Sequence, residues 1–292
     1  MVTIENEFLR VSAKTMGAEL TSVFDKKRNR ELLWQGDPAV WPDHGPLLFP
    51  LVARLKNETY TLDGREYRID IHGFGRNKEF APRQESETAM AFSLTDDPET
   101  RGVYPFAFSL TVRYTLDGRR LVKEHRVENR SGERMYYEIG GHEGYNLALN
   151  PGETMAQYAL SFGGRDVVYT HTTDEDILFN KGTVPVPLRD GKLYLDMKTF
   201  ERDALVLDDR AGKTVTLLDA AGAPVLTVDF SDFAYLGIWT KYLPTDTNYV
   251  CLEPWSSLPD GNYLGTELSE KEKVRRLEAG QSETLFYAVT VA

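Results

Sequence analysis

The stretch LTVRYTLDGRR at 110–120 alternates apolar and polar side chains, then meets a residue pair suited to chain reversal. Leu110, Val112, Tyr114 and Leu116 fall on one face, and Thr111, Arg113 and Thr115 on the other, the period of a half-buried strand. Asp117-Gly118 tolerates positive φ and predicts a tight hairpin. YTLDGREYRIDI repeats the pattern around Asp63-Gly64, TVTLLDAAGAPVLTVDF predicts a third hairpin, and LFYAVTVA predicts a closing strand with Leu285, Tyr287, Val289 and Val291 aligned. The two copies of TLDGR, at 61–65 and 115–119, have unrelated flanks and read as the same turn chemistry used twice. Only LSEKEKVRRLEAG offers helical spacing, about two turns with solvated charges. No amphipathic helices alternate with strands, and no Gly/Ser linker or charge block divides the chain. The expectation is an all-β fold, one large antiparallel β-sandwich domain spanning 1–292.

A formal net charge of −11 speaks against nucleic acid and anionic membrane surfaces as partners. The single cysteine, Cys251, excludes an intramolecular disulfide and a multi-cysteine metal site. MVTIENEFLRV lacks a basic segment followed by an apolar one, and no run approaches the roughly 18 apolar residues of a membrane span. A soluble cytoplasmic protein is expected. The oligomeric state is not written in the sequence, which is compatible with a homodimer.

Neither GxGxxG, a P-loop, HExxH nor GxSxG occurs, so no cofactor is expected. Cys251, within NYVCLEPW, reads as a buried core residue rather than a nucleophile. What remains is a set of residues in unusual surroundings: Arg54 in FPLVARLKN, His72 in DIHGFGRNKEF, His142 in YYEIGGHEGYNL, Trp239 in YLGIWTKYL and Glu253 in NYVCLEPWSSLPDG. Each has a plain structural alternative: an arginine ending a strand in water, hydrogen-bonded structural histidines, a core tryptophan. Glu253 resists it most, because a carboxylate closing an apolar strand is unfavourable unless paired or used. His44 reads as exposed, His125 as lying on the solvated face of a charged strand, and His171 as a polar connector at most on a rim. If YYEIGGH is a regular strand, Tyr136, Glu138, Gly140 and His142 share a face. Gly140 and Gly141 then admit a ligand or another backbone, or mark a bulge.

Taken in order, GPLLFPLVARL, HGFGR, GGHEGYN, GIWTK and CLEPW resemble the aldose 1-epimerase (galactose mutarotase-like) family, above all its shorter bacterial branch, across the whole chain. The resemblance implies a twisted antiparallel β-sandwich with a sugar in a cleft on the concave face of one sheet. It also implies roles. Glu253 is the base for the anomeric hydroxyl, His142 the acid for the ring oxygen, and His72 a second histidine on the ring-oxygen side. Arg54 binds substrate, and Asp203 in FERDALVL is the candidate for the aspartate that holds sugar hydroxyls. Trp239, Phe74 and Tyr145 are candidates for stacking on the sugar. Glu143-Gly144 after His142 and Ser256-Ser257 after Trp255 depart from the family's usual residues there, beside the implied site.

Mutarotation needs a base at the C1 hydroxyl and an acid at the ring oxygen, in opposite protonation states and facing each other across the ring. Glutamate and histidine can be tuned to that task without a cofactor. The leading expectation is a free aldohexose as substrate. A hexose 6-phosphate would need basic residues at the far end of the cleft, for which Arg76, Lys78 and Arg83 are candidates. A noncatalytic sugar-binding protein or sensor would need the aromatic platform but not Glu253. A metal site of His72, His142 and Glu253 is disfavoured by sequence gaps of 70 and 111 residues, so no metal is expected.

Overall fold

The alternation becomes two stacked antiparallel sheets in the computed structural model, which describes residues 1–258 and 260–292. In spatial order, the nine-stranded sheet holds Lys192–Tyr194, Ala159–Ser161, Thr214–Leu218, Pro224–Asp229, Ser282–Val291, Arg120–Asn129, Phe108–Asp117, Ala89–Thr95 and Ala81–Gln84. The six-stranded sheet holds Glu143–Asn146, Tyr249–Trp255, Tyr235–Trp239, Leu205–Leu207, Val167–Thr173 and Phe179–Pro187. Ladders in both sheets are antiparallel. A four-stranded N-terminal sheet and two ribbons complete the fold. Among the described residues, no helix is long and apolar enough to cross a membrane.

The three hairpins and the closing strand form as the sequence suggests, with Leu285, Tyr287, Val289 and Val291 all buried. The two TLDGR copies nevertheless make different turns. Leu62 pairs with Arg65, so the first loop is Asp63-Gly64, with φ of 51° and 77°, a type I′ pattern. Asp117 pairs with Arg120, so the second loop is Gly118-Arg119, with positive φ only at Gly118 (56°), a II′ pattern. Register is set by the flanking strands, since Leu116 must face Leu121 with both buried.

Two other readings are corrected. LSEKEKVRRLEAG is not helical: it holds a 3₁₀ turn, Leu268–Glu270, and a strand, Arg275–Leu277, paired with Met135–Tyr137. Its apolar residues are too few to cover a helix, and Lys271 turns inward to ion-pair with Asp260. His125 is 1% exposed rather than solvated. It shares the inward parity of Arg120–Asn129 with Leu121, Lys123 and Val127, and lies against Phe233 and Tyr287. Burial pushes its pKa well below the usual histidine value.

The ladder is interrupted between Met135–Tyr137 and Glu143–Asn146, so YYEIGGH is not one regular strand. Gly140 bridges both Leu48 and Trp255, and a Cβ there would lie 2.6 Å from the Pro254 carbonyl oxygen. The glycine serves close backbone approach. Glu138 points away from the cavity described below and accepts a hydrogen bond from the Val52 amide (2.8 Å). Burial lifts its carboxyl to about 8, against the Val52 bond and Lys271, which lower it. Because the folded value exceeds the unfolded one, this stabilising contribution is full below the ordinary carboxylate pKa and is lost as pH rises toward 8. The linkage limit is about 1.4 kcal/mol per pH unit. Glu138→Gln keeps an acceptor for Val52 and cannot ionise. The variant's stability advantage over wild type, read from urea midpoints, therefore grows from about pH 5 to about pH 8. A constant difference across that range would show that Glu138 does not titrate there.

Candidate functional site

The strand Tyr249–Trp255 is buried along its whole length. Alternation puts Cys251 and Glu253 on one face. Glu143 pairs with Leu252, which brings the preceding residue, His142, beside Glu253. The His142 Nε2 and Glu253 Oε2 atoms are 3.3 Å apart, and the two residues are 7% and 1% exposed. The Trp255 indole N–H donates to the same carboxylate oxygen at 3.2 Å. This pair lies against a cavity of about 220 Å³.

His72 enters from a strained turn. Its φ is 65° and that of Gly73 is 68°, a left-handed conformation that a non-glycine residue adopts only when its surroundings enforce it. They do so through backbone bonds: the His72 amide donates to the Ala53 carbonyl (2.7 Å), and the Phe49 amide donates to the His72 carbonyl (3.2 Å). The Ala53 amide in turn donates to His72 Nδ1 at 3.1 Å. An accepting Nδ1 in neutral imidazole leaves the proton on Nε2. The ring meets His142 edge-on, with centroids 5.3 Å apart.

Burial depresses both histidines. His72 is held well below the usual value, with His142 and the two cavity arginines adding to the effect. His142 is pushed down to about 3, with Arg76 contributing. Burial also pushes Glu253 well above the carboxylate range, offset in part by Trp255. Both directions favour one proton on the pair, as a carboxyl on Glu253 beside a neutral imidazole on His142.

Two arginine–aspartate pairs stand around the opening. Arg54 Nη2 is 3.8 Å from Asp203 Oδ2, and Arg76 Nη1 is 3.8 Å from Asp43 Oδ2, all partly exposed. Asp203 also has positive φ (91°), and burial raises its pKa against the lowering by Arg54 and Trp239. All six sequence candidates, Arg54, His72, His142, Asp203, Trp239 and Glu253, line this cavity.

Other expectations are corrected. Phe74 packs on Phe49 and Phe108, and Tyr145 is fully buried, so neither is available for stacking in the cavity. Lys78 binds Asp97 and Glu99, and exposed Arg83 binds Glu85, which leaves Arg76 alone of the three at the cavity. His44 is half-buried beside Glu19, not exposed. His171 is half-buried between Phe179 and Tyr235 and borders an adjoining groove. Sequence reasoning missed Trp41, which stacks on Tyr249 and lies 5.2 Å from the His142 ring. It also passed over Trp255 as a donor, although the EPW block held it. Two of the departures beside the site, Glu143 and Ser256, have partners. Glu143 turns into the core, where Lys123 Nζ (2.7 Å) and the Tyr287 hydroxyl (2.6 Å) bind it. The Ser256 hydroxyl accepts from the Ile139 amide.

Comparison with known proteins bears on the family and the fold. The family model described as Aldose 1-epimerase matches residues 1–274. Protein LacX (chromosomal) of Lactococcus lactis subsp. lactis is 32% identical, with 99% of each chain covered. A galactose mutarotase related enzyme from Lactobacillus acidophilus has a solved structure that superposes with a TM-score of 0.92 at 32% identity, covering 100% of this chain and 97% of that one. A galactose mutarotase-like protein from Lactobacillus casei gives 0.91 at 26% identity, with 100% of both covered.

Proposed function

Because the chain belongs to the aldose 1-epimerase family, we propose that it interconverts the α and β anomers of a free aldohexose, with Glu253 as base and His142 as acid. The observation that carries this reading is the 3.3 Å contact between Glu253 and His142 at a cavity the size of one sugar. The anomeric oxygen and the ring oxygen are both bonded to C1. Base and acid can therefore sit side by side, as Glu253 and His142 do, which corrects the expectation that they face each other across the ring.

The shared proton fits the reaction. Carboxyl with imidazole and carboxylate with imidazolium are tautomers of one pair. In the second form Glu253 takes the C1 hydroxyl proton as His142 delivers its own to the ring oxygen. The bond from C1 to the ring oxygen breaks, and C1 becomes an aldehyde. Rotation about C1–C2 and closure on the other carbonyl face run the transfers backward, so the pair holds one proton before and after. His72 offers its Nε2–H to a sugar oxygen, and Trp239 an apolar ring face. Each arginine–aspartate pair presents donors beside acceptors, the complement of neighbouring hydroxyls. This supports a free sugar over a 6-phosphate, since both cavity guanidiniums already have a carboxylate 3.8 Å away.

The test is polarimetry of fresh α-D-glucose and α-D-galactose, with glucose 6-phosphate followed by NMR exchange. Catalysed decay of the free sugars above the buffer rate is expected. Acceleration of the phosphate alone would move the assignment to a hexose 6-phosphate. Sugar binding without acceleration would make the protein a sugar sensor.

A further inference from the structure

We propose that His142 and Glu253, which line the sugar cavity, together with Cys251 buried beside them, form a binding site for a thiophilic divalent metal ion of the zinc class, whose occupancy excludes the sugar. The exclusion of sugar, though not the metal site itself, rests on the function proposed above. One ligand atom from each of the three residues lies within 4.8 Å of the others. The strand Tyr249–Trp255 delivers Cys251 and Glu253 to one face at a spacing of two residues, and His142 closes the triangle from the neighbouring segment.

The donor set selects the ion. One sulfur, one imidazole nitrogen and one carboxylate oxygen form a mixed set that suits zinc or cobalt and not magnesium or calcium, which take oxygen ligands. Zinc–ligand bonds of about 2.0–2.3 Å place tetrahedral ligand atoms roughly 3.5 Å apart, so the longest separation here closes by about 1 Å through side-chain rotation. No hydrogen bond holds His142 against that adjustment at its buried Nδ1, which has no partner among the described residues. A thiolate and a carboxylate bring two negative charges, and a dication returns the buried site to neutrality. Three protein ligands leave a fourth position facing the cavity, for water or a sugar hydroxyl. Binding there takes both groups of the proposed acid–base pair, so the ion acts as an inhibitor.

Cobalt(II) is the probe that tests the site without relying on activity. One equivalent added to the wild-type protein is expected to give the near-ultraviolet thiolate-to-cobalt charge-transfer band and intense tetrahedral d–d bands. Cys251→Ser abolishes the charge-transfer band, and Cys251→Ala does the same should serine disturb the core. Saturating D-galactose displaces the ion. Zinc chloride slows wild-type mutarotation, and the Cys251 variants keep the metal-free rate while needing at least about 10–100-fold more zinc for the same inhibition, the usual cost of losing even an outer-shell partner. A missing charge-transfer band, or one that survives both Cys251 variants, overturns the site. A band that saturating sugar leaves unchanged overturns the exclusion. A normal band in a protein that accelerates no sugar leaves the metal site standing and removes the epimerase reading instead.

Discussion

Replacing Glu253 by glutamine lowers the mutarotation rate by about 10²–10⁴-fold, the usual contribution of a positioned acid–base group, while sugar affinity changes little. The substitution is close to isosteric. Its amide oxygen still accepts from the Trp255 indole, which donates at 3.2 Å in the wild type, so the cavity floor keeps its shape. What is lost is the ability to take a proton from the C1 hydroxyl, together with the proton shared with His142. Trp41, Trp239 and Trp255 all line the cavity, so quenching of tryptophan fluorescence reads binding separately from polarimetric rate. A variant that binds sugar and has lost the rate identifies the base. One that keeps the wild-type rate would remove Glu253 from the mechanism.

The largest stability effect is expected behind the site, at Lys123. Its ammonium and the Glu143 carboxylate are 2.7 Å apart, with side chains 2% and 1% exposed. The ammonium also lies 5.6 Å from the ring centroids of Tyr114 and Tyr287. Lys123→Met leaves a buried carboxylate with the Tyr287 hydroxyl as its remaining partner. Stranding one member of such a pair destabilises by about 3–5 kcal/mol, a large share of the roughly 5–15 kcal/mol of a typical domain. Removing both charges together, in Lys123→Met/Glu143→Leu, recovers most of that loss, because desolvation of each ion offsets much of their attraction. Chemical denaturation of the two single variants and the double variant measures the coupling. Additive single effects would show that the contact contributes no net pairing.

The strands and hairpins were legible because alternation and the Asp-Gly and Gly-containing turns act locally. The limits of that legibility are visible at particular residues. The same five letters, TLDGR, close two different loops, because the choice is made by which leucines the flanking strands must bury. His125 was within reach of the pattern: it has the parity of Leu121 and Val127, and only the charges around it suggested water. Arg54, His72, His142, Trp239 and Glu253 stand in blocks whose order pointed to a family, and Asp203 in a poorer match. That they converge on one cavity depends on pairings between strands more than a hundred residues apart, such as Glu143 with Leu252. The arginine–aspartate pairs, the tautomer of His72 and the side-by-side placement of Glu253 and His142 are likewise products of assembly. No spacing in the chain encodes them.

His142 and Glu143 are adjacent in sequence, yet one faces the cavity and the other the interior between the sheets. A saturation scan that scores cellular abundance and catalytic output in parallel should therefore break sharply between these two codons. Substitutions at 142 would leave abundance and remove output, whereas substitutions at 143 would remove both together. A single-codon insertion just upstream would carry the imidazole into the place of Glu143, against Lys123, and leave Gly141 where His142 meets the cavity. Length variation in this segment is therefore closed to neutral drift, while the exposed hairpin tip at Asp63-Gly64 remains open to it.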